Sequence, residues 1–185
     1  PDIHTVLLSA ASDVYKRQLE IFMLKPNKLA NNNFLSSLDL STDELLHILD
    51  LANNFKNKKL NIDLGNKVLG LIFDKSSTRT RVSFQVAMTR LGGTTIDLNP
   101  TTSQIGRGEP IKDTARVLSR YCDVIAIRTF DHLDLEEYAK WSTKPVINAL
   151  TDLEHPCQAL ADFLTIKEEF LDFKDVVLTF IGDGN

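Results

Sequence analysis

Cysteine is scarce in this sequence: Cys122 and Cys157 are the only two, and neither falls in a C-x-x-C pair or at a His-paired spacing. A disulfide framework and the common zinc sites are thereby excluded, and a reducing compartment, the cytoplasm, becomes the expected location. Long apolar runs are missing too. None approaches the ~20 residues that a membrane-spanning helix needs, so a membrane is not an expected partner. Positive charge is also short, with 21 Lys and Arg against 25 Asp and Glu for a net charge of −4. Nucleic-acid surfaces need basic charge spread over a face, so nucleic acid is not an expected partner either. No G-x-x-x-x-G-K precedes a helix-like segment, which removes the Walker type of phosphate loop.

What is present is ordinary globular material: 43% hydrophobic and 25% charged residues in a chain of 185, enough for one complete domain and the beginning of another. "DVYKRQ" at Asp13–Gln18 looks like a translated transposon adapter, so residues 1–22 are expected to lie outside any fold, with a native start near Met23. From Leu40 onward, Leu45, Ile48, Leu49 and Ala52 share one helical face, and Ser41 and Glu44 stand at capping-box spacing. "KVLGLIF" then reads as a buried strand, followed by the polar "SSTRTR" and a helix with Phe84, Ala87, Met88 and Leu91 on one side.

The same alternation continues. Strands are expected at "TTIDL", "DVIAIRT" and "KPVINAL", with helices from Ile111, over "LDLEEYAKW" and from Pro156. The last helix carries Ala159, Leu160, Phe163, Leu164, Ile166 and Phe170, apolar on more than one face, and is expected to be buried on two sides. The fold class is therefore α/β, a parallel sheet of about four strands flanked by helices over residues 23–170. Residues 171–185 are expected to hold the first strand of a truncated second α/β domain.

Ligands on such sheets bind beyond the carboxyl ends of the strands, and three polar clusters fall there. Ser77, Thr78, Arg79 and Thr80 open a helix, where unpaired amides and a partial positive charge favour an anion such as phosphate. Arg128 ends the third strand. His155 and Gln158, three residues apart at a helix start, present an imidazole and a carboxamide on one face. Each has an ordinary alternative: Ser77 as an N-cap, Arg128 paired with Asp131 or Asp134, His155 as a cap. Arg81 is read as structural, paired with Glu109 or Asp113. No metal or cofactor is expected.

The segments "FDKSSTRTRVSFQVAMTRLGG" and "DLEHPCQALADFLTI" carry the S-T-R-T-R and H-P-x-Q signatures of the aspartate/ornithine carbamoyltransferase family, and "GRGEPIKDTARVLSRY" and "VINAL" resemble it in the same order. The resemblance covers Leu40 to Asn185, roughly the first half of a family member, and is strongest to the ornithine branch. It implies that residues 23–170 bind carbamoyl phosphate and that residues 171–185 begin an ornithine-binding domain.

By that resemblance the phosphate would lie on Ser77, Thr78, Arg79 and Thr80, with Arg128 reaching phosphate and carbonyl oxygen. His155 and Thr80 would donate to that oxygen, while Gln158 would accept from the carbamoyl NH₂. Arg79, Arg128, His155 and Gln158 would be the catalytic set. The implied reaction carbamoylates the side-chain amine of ornithine, giving citrulline and phosphate; aspartate or another amine, or a catalytically silent carbamoyl phosphate-binding fragment, are the alternatives. The resemblance also implies a homotrimer or a multiple of trimers, Gln104 lent to a neighbour's site, and Leu150 and Asn185 near the amino acid.

Overall fold

The computed structural model describes residues 32–60, 62–99, 103–105, 108–170, 173 and 175–182. The expected adapter segment 1–22, the start near Met23 and Asn185 lie outside the described residues. Helix α1 (Thr42–Lys56) opens with the anticipated capping box: Glu44 N–H donates to Ser41 Oγ and Ser41 N–H to Glu44 Oε2. Two orphan amides of the first turn are satisfied in this way. Then follow β1 (Val68–Phe73), α2 (Arg79–Arg90), β2 (Thr94–Leu98), α3 (Ile111–Tyr121), β3 (Val124–Arg128), α4 (His132–Trp141), β4 (Val146–Leu150) and α5 (Pro156–Phe170).

All strand pairs are parallel and the sheet order is β2-β1-β3-β4. After β1 the chain moves to one side to make β2, then crosses back to place β3 on the other side of β1. The carboxyl ends of β1 and β3 thus sit together where the connections diverge, the crevice position of open α/β sheets.

Helices cover both faces, which is why β1 and β3 read as nearly continuous apolar runs. On one face Ile72, Ala115, Leu118, Ile125, Ile127, Leu135, Tyr138 and Val146 form a core with α3 and α4. On the other, Leu69, Leu71, Phe73, Met88, Ala126 and Ala149 pack together. Burying each Leu, Ile or Phe contributes ~1.5–3 kcal/mol, so this double layer is what holds the strand ends in place. Gly70 is glycine for a local reason: a Cβ there would stand 2.9 Å from Cys122 Sγ.

Three departures from the sequence reading carry consequences. The segment before α1 is part of the sheet edge: Phe34 bridges Ile147, with Phe34 N–H donating to Val146 O and Asn148 N–H to Phe34 O, both at 2.8 Å. A single bridge has no periodicity to read. Residues 176–181 form no strand, and Val177, Leu178, Phe180 and Ile181 are exposed, because no strand among the described residues lies beside them to complete a ladder. Helix α5 buries only its first residue, Pro156, while Phe163 and Phe170 are exposed. It meets α1 through surface ion pairs, Lys56–Glu168 and Lys167–Asp50, and Phe163 packs edge-on against the Phe173 ring at 5.7 Å.

Candidate active site

Phe73 of β1, Arg128 of β3 and Leu150 of β4 lie in one row at the carboxyl ends of their strands, with a register irregularity at Ile127/Arg128. Above that row is a cleft of about 860 Å³. Arg79, Thr80, Arg128, Leu150, His155 and Gln158, drawn from four elements and the turn before α5, all line it.

Helix α2 starts one residue later than a Ser77 cap would require. Thr78 is the N-cap, its side chain makes no cap hydrogen bond, and Val82 N–H donates to Thr78 O at 3.0 Å as the first helical bond. The first turn contains no acidic residue, so nothing on the helix offsets the partial positive charge at its start. Arg79 and Thr80 project from that turn into the cleft wall. Ser77 and Thr78 flank the helix start without lining the cleft. Arg81 pairs with Asp97 of β2, Nη1 to Oδ2 at 3.4 Å, and lies over the Phe73 ring at 5.2 Å, in place of the expected Glu109 or Asp113. The parallel pairing of β1 with β2 brings Asp97 within reach, which sequence distance to Glu109 or Asp113 does not convey.

Arg128 forms no ion pair among the described residues, and its Nε is buried without a hydrogen-bonding partner. Asp131, a suggested partner, instead caps α4 by accepting from Leu133 N–H at 2.8 Å. Burial lowers the Arg128 pKa from its ordinary value, and the guanidinium remains a cation at neutral pH.

His155 immediately precedes α5, and its carbonyl accepts from Gln158 N–H at 3.0 Å and Ala159 N–H at 3.1 Å. Burial first, and the neighbouring Arg128 charge second, push the imidazole below the usual histidine range, against a smaller opposing effect of Asp162. The ring is therefore neutral at pH 7, carrying one N–H donor and no charge. Gln158 donates through Nε2 to Asp162 Oδ1 at 2.9 Å, which leaves Oε1 as the end free to accept. Between them, Cys157 is held inert: burial pushes its thiol up to about 12, and Sγ–H donates to Asn148 O at 3.3 Å.

A cation, a helix start and a neutral donor thus converge with a carboxamide acceptor around one cleft. That set can hold a dianion at one end and a small planar amide at the other. Residues 32–168 match the family model described as aspartate/ornithine carbamoyltransferase, carbamoyl-P binding domain. The chain belongs to the aspartate/ornithine carbamoyltransferase family.

Within the family, it is 89% identical over 163 residues to an ornithine carbamoyltransferase of Prochlorococcus marinus subsp. pastoris, covering 88% of this chain and 53% of that relative. Its fold superposes on the ornithine carbamoyltransferase structure from Gloeobacter violaceus with a TM-score of 0.77 at 52% identity, covering 84% of this chain and 51% of that one. An aspartate transcarbamoylase from Trypanosoma cruzi, solved with carbamoyl aspartate and phosphate, superposes with a TM-score of 0.74 at 32% identity, over 80% of this chain and 48% of that one. The chain spans about half the length of the curated relatives it matches.

Two candidate residues stand apart from the cleft. Gln104 is exposed in the loop between β2 and α3, where its carbonyl accepts from Glu109 N–H at 3.3 Å, and Asn185 is outside the described residues. Conversely, the cleft contains Lys75, Ser83, Phe84, Ala87, Cys157 and Ala161, none of them singled out as site residues from the sequence. Helical spacing could have found three: Ser83 and Ala87 follow Thr80 at i+3 and i+7, and Ala161 follows Gln158 at i+3.

Proposed function

We propose that this chain is the carbamoyl phosphate-binding part of an enzyme that transfers the carbamoyl group to the side-chain amine of ornithine, giving citrulline and phosphate. The observation that carries the proposal is the meeting of Arg79, Arg128, His155 and Gln158 on one cleft. Arg79, Thr80 and the amides at the α2 start, with Ser77 and Thr78 beside them, suit the phosphate. Arg128 suits the bridging position between phosphate and carbonyl oxygen, its flat guanidinium offering several donors at once. His155, neutral, is a donor for the same oxygen, and Gln158 Oε1 is an acceptor for the carbamoyl NH₂.

In the reaction a neutral amine attacks the carbamoyl carbon, forming the C–N bond and building negative charge on the carbonyl oxygen. The C–O bond to phosphate then breaks, phosphate leaves with the electron pair, and the amine sheds its extra proton to phosphate or solvent. No enzyme nucleophile is required; orientation and preset donors lower the barrier. The names of the relatives favour ornithine over aspartate, since the 89%-identical protein is called an ornithine carbamoyltransferase whereas the aspartate enzyme is 32% identical. Leu150, on the cleft floor, and Asn185 would lie towards the amino acid. We further propose a homotrimer or multiple of trimers in the cytoplasm, with Gln104 reaching a neighbouring copy's cleft; the free thiols of Cys122 and Cys157 suit a reducing compartment.

A version extended to the full length of the relatives should form citrulline from carbamoyl phosphate and ornithine. Arg79→Ala or Arg128→Ala in that version should lower turnover at least ~100- to 1000-fold, the usual cost of one lost donor at a developing oxyanion. Near-normal activity in either variant would overturn the assignment. A second reading is favoured by the half-length coverage: the 185-residue chain alone binds carbamoyl phosphate without turning it over. Calorimetry with carbamoyl phosphate, beside a citrulline assay on the same sample, separates the two.

A further inference from the structure

Asn148 lies in the middle of β4 between Ile147 and Ala149 and is completely buried, at 0% exposure. A polar side chain there needs a reason. Its Nδ2 donates to Leu35 O at 2.8 Å and, with longer contacts of 3.5 Å, reaches both Thr151 Oγ1 and Glu154 O. Its backbone N–H donates to Phe34 O at 2.8 Å, and its carbonyl accepts from Cys157 Sγ–H at 3.3 Å. One residue therefore ties together the edge segment 33–37, the turn 151–154 and the first turn of α5.

The turn is fastened at further points that all lead back to these partners. Thr151 N–H donates to Glu154 O at 3.1 Å, Thr151 Oγ1 shares a hydrogen bond with His132 Nδ1 at 2.9 Å, and Glu154 Oε2 accepts from Ser37 N–H and Oγ–H at 3.0 and 2.8 Å. His155 is the next residue along the chain. Meanwhile Asn148 Oδ1 is buried without a partner. An unpaired buried carbonyl is unfavourable, so the net stabilisation from this side chain is small and its distinctive effect is on the geometry of the turn.

Resting on the carbamoyl phosphate reading above, we infer that Asn148 is a positioning residue for the carbamoyl end of the site: through the turn 151–154 it sets where His155 and Gln158 stand over Arg128. The phosphate end is anchored separately. Arg79 and Thr80 follow β1, and their helix is fixed to β2 by the Arg81–Asp97 pair, with no hydrogen bond or ion pair to β4 or its turn among the described residues.

That division yields a test on the 185-residue chain. Wild type, Asn148→Leu and Thr151→Val are titrated by calorimetry with carbamoyl phosphate and, separately, inorganic phosphate, with circular dichroism to check folding. Asn148→Leu should lose ~10-fold or more in carbamoyl phosphate affinity while inorganic phosphate affinity stays within about twofold, and Thr151→Val should show the same split more weakly. Equal loss for both ligands, or no loss for either, overturns the inference; should Asn148→Leu not fold, Thr151→Val decides. A second readout needs no ligand. The His155 ring resonances, followed by NMR against pH, should titrate closer to the ordinary histidine value in the variants than in wild type, and an unchanged titration again overturns it. If wild type itself does not prefer carbamoyl phosphate to phosphate, the functional reading falls, while the NMR titration still decides the role of Asn148.

Discussion

His155 shows how much of the proposed chemistry depends on the state of one side chain. A protonated imidazole beside Arg128 would add a second buried cation; burial and that guanidinium keep the ring neutral instead. The folded state thus binds the proton less tightly than an unfolded chain, whose histidines titrate at about 6.5. As pH falls through 6.5 towards the lower folded value, unfolding takes up the proton, so stability declines in that window and is unaffected by this group above it. NMR should find His155 titrating below 6.5, and Arg128→Gln should raise it; an unmoved or lower value would contradict the account. At this scale the sequence was legible in bringing Arg79, Arg128, His155 and Gln158 to one strand-end cleft, which type and spacing indicate. It was silent on Lys75, which also lines the cleft, and it misassigned Arg81, whose partner Asp97 is set by strand register.

At the level of elements, strand β1, like β3, is paired on both edges and packed on both faces. Gly70 is its tightest point. Gly70→Ala would force the Cβ against Cys122 Sγ and should cost ~1–3 kcal/mol in urea unfolding, with Cys122→Ala in the same chain recovering part of that loss. Simple additivity of the two changes would mean that the contact is not the cause. The alternating order of these elements could be read in advance because helix and strand periods differ and caps mark the boundaries, as Ser41 and Glu44 do for α1. Neither the bridge from Phe34 to Ile147 nor the exposure of Phe163 and Phe170 on α5 could be read, because both depend on what lies alongside.

Over the whole molecule, the uncovered apolar residues are the main liability. Val177, Leu178, Phe180 and Ile181 are 71–93% exposed, and an unpaired apolar segment of this kind is a template for association. Leu178→Asp with Phe180→Asp should reduce self-association of the 185-residue chain, measured by light scattering, without changing its unfolding midpoint; unchanged association would clear this segment of blame. The sheet order has a different consequence. Because β1 is flanked by β2 from its own half of the sequence and by β3 from the other, a backbone cut in the loop between β2 and α3 would leave Leu69–Phe73 still zipped to Val124–Arg128 across the break. Two separately made polypeptides divided there have the means to find each other and rebuild the cleft, each contributing one wall of it.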